Sequence, residues 1–250
     1  MAERVEPARG DDVDGEAGAV PQPRRPRLPF WASLLLNVVV AIAVVAVVQA
    51  LWVKVYSVPS GSMENTLEVG DRMLVNRTAY PDGMADSQDV VVFTANEDWA
   101  TPASSEGALE NAVRTFGDLT GIGRSHEQAL VKRVIGTAGQ TVECCTAEGA
   151  VTVDGEPLDE PYIHNDLPFS RDELDCESEV MSARCFGPVT VPEDSMLVLG
   201  DHRSNSADSV IACRGIPADQ AGDCARFVTR EDIVGEVFVT VWPPTHWGGH

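Results

Sequence analysis

The sequence predicts a mainly β, antiparallel domain that follows one N-terminal transmembrane helix. A long apolar run lies near the N-terminus, and short valine-rich segments separated by Gly, Pro and Asp recur through most of the chain after it. Short β-like segments of this kind favour antiparallel sheets or a sandwich over βαβ units, which would need long helical patterns between the strands.

Residues 1–27 are polar and rich in Glu, Asp, Gly and Pro. A segment of this composition buries too little apolar surface to fold, so we expect a disordered N-terminus. The whole chain has 18 Lys+Arg and 39 Asp+Glu, a formal net charge of −21. This balance favours a soluble, self-repelling surface and argues against nucleic acid as a partner, which would need a basic face.

Residues 28–53 are predicted to form the transmembrane helix. No charged residue lies between Arg27 and Lys54, and Trp31 and Trp52 stand near the two ends, as expected at a membrane interface. The run exceeds the roughly 20 residues needed to span a bilayer. A cleaved secretory signal has a shorter apolar region, roughly 7–15 residues, and a buried core helix is rarely so uniformly apolar.

Positive charge flanks this helix mainly on its N-terminal side. Arg24, Arg25 and Arg27 precede it, whereas only Lys54 follows closely. Because positive residues stay on the cytoplasmic side, we expect a single-pass protein with its N-terminus inside and residues 54–242 outside the membrane.

Six cysteines lie in the outer part of the chain: Cys144, Cys145, Cys176, Cys185, Cys213 and Cys224. Disulfides form in such compartments, but sequence alone does not select the pairing. The short-loop pairs Cys176–Cys185 and Cys213–Cys224 are our expectation. Cys144 and Cys145 could bridge each other, stay free or pair elsewhere. The absence of CxxC spacing argues against a zinc site.

Seven segments are predicted to be strands: Arg72–Asn76, Asp89–Thr94, Ala129–Ile135, Gln140–Glu143, Ala150–Val153, Ser195–Leu199 and Ile233–Trp242. Asp154–Gly155 indicates a type I′ hairpin turn. Residues 95–128 and 159–188 are expected to be insertions, the first with a short amphipathic helix between Glu97 and Glu127. The tail, residues 243–250, is expected to be flexible.

Polar residues crowd between apolar segments at three places. Val58–Asp71 contains Ser60 and Ser62 around a glycine, Leu130–Gln140 contains Lys132 and Arg133, and Gly200–Ser209 reads GDHRSNSADS. Each segment alone would ordinarily be a serine-rich turn, a solvated strand lysine or a polar loop. Strand alternation places Lys132 and Arg133 on opposite faces, so one of them must point toward the interior or a cleft.

The order PSGSM, LVKRVIG and GDxRxNSxDS behind an N-in anchor resembles the bacterial type I signal peptidase family. The resemblance implies an antiparallel β-domain of two sheets with inserted loops, held on the outer face of the cytoplasmic membrane. It implies a serine endopeptidase that removes signal peptides from exported preproteins after small residues, as in A-x-A. The implied partners are preproteins and the lipid bilayer, and a functional monomer without cofactor or metal is expected.

The resemblance also assigns residues. Ser62 matches the nucleophile, Lys132 the general base, Ser60 an oxyanion donor beside the Ser62 amide, and Ser206 the serine that orients the lysine. Arg133 and Asp201 match a structural ion pair, and Gly200, Asn205 and Asp208 belong to the third motif. The chain departs from the family pattern at Asn65, Ala138, Gln140, His202 and Val210. Because Val210 replaces the usual arginine, Asp208 needs another partner, and Arg203 and Arg214 are the candidates.

Lysine acts as a base only when neutral, so its pKa must fall well below about 10.4. Val131, Val134 and Met63 could supply the apolar surroundings that lower it. A histidine base is the rival within the enzyme class, from His126, His164, His202, His246 or His250. Two further functions are compatible with the sequence: a Ser–Lys protease that cuts itself or a regulator, and a non-catalytic, membrane-tethered β-domain that binds partners.

Overall fold

The computed structural model describes residues 29–81, 83–96, 98–99, 115 and 128–249. The expected disordered N-terminus lies outside the described residues, as does the short helix expected between Glu97 and Glu127 except for Thr115, which is helical. Helix α1 spans Phe30–Leu51 and contains no acidic residue in its first turn and no basic residue in its last. Within it, Phe30–Gln49 is long and apolar enough to cross a membrane. The predicted helix is therefore present, but it ends at Leu51 because the chain turns into a strand at Val53.

Twelve strands and a second helix occur among the described residues. In chain order they are β1 (Val53–Ser57), β2 (Arg72–Asn76), β3 (Val90–Thr94), β4 (Ala129–Thr137), β5 (Thr141–Cys144), β6 (Val151–Val153), β7 (Glu156–Pro157), β8 (Phe186–Thr190), β9 (Ser195–Leu199), α2 (Ala218–Ala221), β10 (Val228–Thr229), β11 (Ile233–Trp242) and β12 (Gly248–Gly249). The larger sheet has the order β1-β2-β11-β3-β4-β9-β10, with β12 paired to β11, and the smaller has the order β7-β6-β5-β8. The pairs are antiparallel, so the predicted mainly β, two-sheet antiparallel class is confirmed.

The central strands carry the hydrophobic core. β3 is buried along Val90–Phe93, and all five residues of β9 are buried. Such continuous apolar runs are expected where both faces of a strand are covered. The turn between β6 and β7 has positive φ at Asp154 and Gly155, as the hairpin prediction requires.

Two predicted boundaries need correction. The tail pairs through β12 with β11, and His246 Nδ1 lies 2.9 Å from Asp71 Oδ1. Tertiary contacts thus order residues that look featureless in sequence. The second insertion also ends earlier than residue 188, because Phe186 begins β8 and is buried in the core.

The described cysteines form three disulfides. Both expected short-loop bridges, Cys176–Cys185 and Cys213–Cys224, are present, and Cys144 is bridged to Cys145. Of the three states that the sequence left open for these adjacent residues, the structure has the vicinal bridge.

Candidate active site

Ser62 lies in a 3₁₀ turn over Gly61–Met63 that follows β1. The next residue along, Met63, is 1% exposed and packs in a core cluster with Val131 of β4. This apolar anchor fixes the turn, and Ser62 itself is only 8% exposed. The backbone N–H groups in the first turn of a helix lack intrahelical acceptors, so the Ser62 amide is available to a ligand.

Lys132 lies in the middle of β4 and is 3% exposed. Its Nζ lies 2.6 Å from Ser62 Oγ, across 70 residues of sequence. Burial lowers the pKa of Lys132 to about 8, although Asp208 and Asp201 act to raise it and Arg226 acts to lower it. An amine with this pKa is neutral in about one molecule in ten at pH 7, against roughly one in 3,000 for a free lysine.

The pairing of β4 with β9 brings the third polar segment, Gly200–Ser209, close to Lys132. Arg133 lies opposite Leu199 in the β4–β9 ladder, so the residues after Leu199 emerge beside this part of β4. At Gly200 a β-carbon would collide with Ser206 Oγ and would lie 2.6 Å from the Ser62 carbonyl oxygen. Glycine therefore permits the close approach of the Gly61–Met63 turn to this loop.

Arg133 and Asp201 form the expected ion pair. Arg133 Nε and Nη2 donate to the two Asp201 carboxylate oxygens at 2.9 and 2.6 Å. Thr66 Oγ1 donates to the same carboxylate at 2.5 Å, and the His202 amide donates to the Ser62 carbonyl at 3.1 Å. These bonds connect β4, the segment from Gly61 to Thr66 and the loop after β9.

Three expected residues make weaker connections. Ser60 is exposed, with extended backbone and no side-chain bond to the turn. Asn205 is exposed and contributes its amide to the His202 carbonyl at 3.0 Å. Ser206 is buried, yet its Oγ has no hydrogen-bond partner within the described part of the chain. The expected hydrogen bond from Ser206 to Lys132 is thus not formed in this state.

Asp208 pairs with Arg214 in place of the arginine that Val210 replaces. Arg214 Nη2 lies 3.2 Å from Asp208 Oδ2, and both side chains are buried. Arg203, the other candidate, pairs with Glu160 instead. Arg214 comes from the loop closed by the Cys213–Cys224 bridge, which brings it back toward the site.

Sequence reasoning missed the residues that the second insertion contributes. The Tyr162 ring lies 3.9 Å from the Arg133 guanidinium carbon, and Glu160 pairs with buried Arg203. Burial raises the pKa of Tyr162, which keeps the phenol neutral. This segment has no periodicity, so no pattern in it signals that residues 160–165 line the site.

Among the described residues, Lys132 and no histidine places a side-chain nitrogen within hydrogen-bond distance of Ser62 Oγ. His202 Nδ1 lies 2.6 Å from Glu64 Oε2 and 3.2 Å from the Gly61 carbonyl. His164 Nε2 lies 3.0 Å from the Asn165 amide nitrogen, and His246 bonds Asp71. His126 and His250 lie outside the described residues.

Comparison with known proteins decides the family. Residues 31–242 match the family model for signal peptidase, peptidase S26. The chain belongs to this family. It is 34% identical over 262 residues to the probable signal peptidase I of Mycobacterium leprae, covering 97% of this chain and 86% of that protein. The signal peptidase I of Mycobacterium tuberculosis is 32% identical over 254 residues, with 97% and 83% covered.

A crystal structure of a signal peptidase I from Enterococcus faecalis also matches, with 19% identity, a TM-score of 0.32 and coverage of 62% of this chain and 97% of that chain. Membership of the signal peptidase family makes the chain a serine endopeptidase that removes signal peptides from preproteins. With the apolar helix α1, it also indicates a membrane-anchored protein.

Proposed function

We propose that Ser62 is the nucleophile and Lys132 the general base of a signal peptidase that works through an acyl-enzyme. The single observation that carries this assignment is the 2.6 Å contact between Lys132 Nζ and Ser62 Oγ, both buried. A serine hydroxyl becomes nucleophilic when an adjacent base takes its proton. Neutral Lys132 accepts that proton as Ser62 attacks the scissile carbonyl, and the resulting ammonium donates it to the leaving amine.

The developing oxyanion needs donors on the other side of the carbonyl. The Ser62 amide and the Ser60 hydroxyl are the proposed pair, each worth about 2.7–4 kcal/mol in the transition state. Ser60 is exposed, so its hydroxyl can turn toward a bound substrate. In the second half-reaction neutral Lys132 takes a proton from a water molecule, whose oxygen attacks the acyl-enzyme carbonyl. The Lys132 ammonium then returns the proton to Ser62 Oγ as the ester bond breaks.

Substrate and topology follow the same proposal. Small residues at the −3 and −1 positions, as in A-x-A, are the proposed substrate preference, and Ser62, only 8% exposed, leaves little room for a bulky side chain at −1. Arginines before α1 support an N-terminus in the cytoplasm, with residues 54–242 outside a bacterial cytoplasmic membrane in a single-pass monomer. The mechanism uses only protein groups and water.

The pH dependence of cleavage tests the base. We expect kcat/KM for a fluorogenic Ala-x-Ala peptide to rise as the pH increases and to reach half its maximum near pH 8, because kcat/KM reports ionisation of the free enzyme. The sign follows from the chemistry, since the productive lysine is deprotonated. A profile governed by a group near pH 6.5 would instead assign the base to a histidine.

Ser206→Ala tests the proposed orienting role of that hydroxyl. We expect kcat to fall at least about tenfold if the hydroxyl orients Lys132 during turnover. The free energy of unfolding should change by less than about 1 kcal/mol, because the hydroxyl has no partner among the described residues of the free enzyme. Steady-state kinetics and guanidinium unfolding in detergent micelles measure the two quantities.

Ser209→Ala is the matched control, because Ser209 Oγ accepts a hydrogen bond from the Val198 amide at 2.9 Å. Its loss leaves a buried donor unpaired and should cost about 1–3 kcal/mol of stability with kcat nearly unchanged. A Ser206→Ala variant with parental kcat would remove Ser206 from the mechanism.

A further inference from the structure

Three side chains of metal-ligating types, Glu64, His164 and His202, lie together beside the Gly61–Met63 turn. This turn carries the proposed nucleophile and is called the nucleophile turn below. One carboxylate oxygen and one ring nitrogen from each histidine all lie within 4.8 Å of one another. The two imidazole rings are edge to face, with centroids 5.0 Å apart. None of these three residues has a role in the proposed Ser62–Lys132 chemistry.

The backbone holds the three residues in place. His164 and His202 form a parallel β-bridge, and the His164 amide donates to the Asp201 carbonyl at 2.8 Å. The His202 amide donates to the Ser62 carbonyl, and the Glu64 amide donates to the Gly61 carbonyl at 3.3 Å. The three side chains therefore start from segments that already contact one another, which lowers the entropy lost when they converge on a ligand.

We propose that Glu64, His164 and His202 bind one divalent transition-metal ion, with Zn²⁺ as the best fit. Two imidazoles and one carboxylate form a donor set that zinc commonly takes in proteins, at about 2.0–2.2 Å per ligand, with water in the fourth position. Mg²⁺ and Ca²⁺ prefer oxygen ligands and fit this set poorly.

The donor atoms lie within 4.8 Å of one another, so binding one ion requires changes of about 1.5 Å or less in their separations. Tetrahedral ligands about 2.05 Å from one ion lie about 3.3 Å apart. Glu64 Oε2 and His202 Nδ1 are 2.6 Å apart, so they must separate by less than about 1 Å as the ion replaces the shared proton. Their side chains are 29% and 12% exposed, which leaves both room to turn and a path for the ion.

The position of the site gives the ion a structural effect. The Glu64 carboxylate lies over Gly61, where it fills the space that a β-carbon would occupy. His202 belongs to the loop after β9, and His164 to the second insertion. A bound ion would therefore connect the nucleophile turn to the loop after β9 and to the second insertion.

Direct metal binding tests the proposal without an activity assay. The full chain in detergent micelles is first treated with a chelator, under oxidising conditions that keep its disulfides closed. Binding of Zn²⁺ is then measured by calorimetric titration with ZnCl₂. We expect one ion per chain, a Co²⁺ form with the intense visible absorption of tetrahedral coordination, and a Tm increase of about 5–10 °C at Zn²⁺ about 100-fold above Kd.

Variants locate the ion. His164→Ala and Glu64→Gln should each weaken Zn²⁺ binding at least about tenfold and abolish the Co²⁺ absorption, whereas His246→Ala removes a histidine outside the cluster and should change neither. Glu64→Gln keeps the size and shape of the side chain, so it tests the site even if His164→Ala fails to fold. Zn²⁺ binding of equal strength in the parent and in Glu64→Gln, or no binding by the parent at about 100 µM ZnCl₂, would overturn the proposal.

Discussion

Lys132→Met is expected to lower kcat/KM for signal peptide cleavage by about 10³-fold or more. The substitution removes the only base within 2.6 Å of Ser62 Oγ in the described structure and keeps a side chain of similar length. Ser62→Ala should lose activity to the same extent, and the double variant should be little worse, because residues that act as a unit are not additive. Cleavage of a purified preprotein, followed by gel mobility, measures the loss.

The chain offers a sharp control for this result, because Lys54 is its only other lysine. Lys54→Met should retain activity within about threefold of the parent, since Lys54 lies in β1 over the Tyr56 ring and outside the proposed chemistry. Near-parental cleavage by either Lys132→Met or Ser62→Ala would disprove the assignment.

Stability distinguishes lost chemistry from a lost fold. Burial lowers the pKa of Lys132 below its unfolded value, so folding disfavours the ammonium form at neutral pH. The contribution of Lys132 to the free energy of unfolding is therefore unfavourable below pH 8 and improves as the pH rises toward 10.5. Lys132→Met should be at least as stable as the parent at pH 7, an advantage that shrinks at higher pH.

Asp201→Ala is expected to lower the free energy of unfolding by about 3–5 kcal/mol. It would leave the Arg133 guanidinium, 11% exposed, without the carboxylate that accepts two of its hydrogen bonds. Thr66 would lose its acceptor at the same time. Guanidinium denaturation of the detergent-solubilised chain, followed by tryptophan fluorescence, measures the change.

Glu193→Ala is the matched control for this stability measurement. Glu193 is exposed, so its removal should change the free energy of unfolding by less than about 0.5 kcal/mol. A loss below about 1 kcal/mol in Asp201→Ala would show that the Arg133–Asp201 pair contributes little to the fold.

Much of the site was predictable because its parts lie in short motifs with distinct chemistry. Ser62, Lys132 and the Arg133–Asp201 pair were named because three segments in order resemble the motifs of the signal peptidase family. Lys132 in particular stands inside an apolar strand, where a charged residue is unusual enough to attract attention. Strands such as Arg72–Asn76 and Ile233–Trp242 were predicted to the residue because valine-rich alternation is a local signal.

The rest depends on tertiary contacts that no local pattern encodes. β1 was not predicted, because Val53–Ser57 follows the apolar helix at once and no turn signal separates the two. The very short strands β7, β10 and β12 form only because a longer strand offers them a partner. The pairing of Asp208 with Arg214 and of Arg203 with Glu160 is decided by loop packing, which the sequence left open between two arginines.

On the proposed mechanism, the burial of Lys132 makes proteolytic activity depend on folding. In a newly made, unfolded chain this amine keeps the ordinary basicity of a lysine, so the serine beside it in the finished enzyme has no proton acceptor. Burial within the folded domain lowers the pKa of this amine to about 8, so that an appreciable fraction is neutral and can accept a proton at neutral pH. On the proposed mechanism, the unfolded polypeptide is therefore expected to be inert toward itself and its neighbours during synthesis.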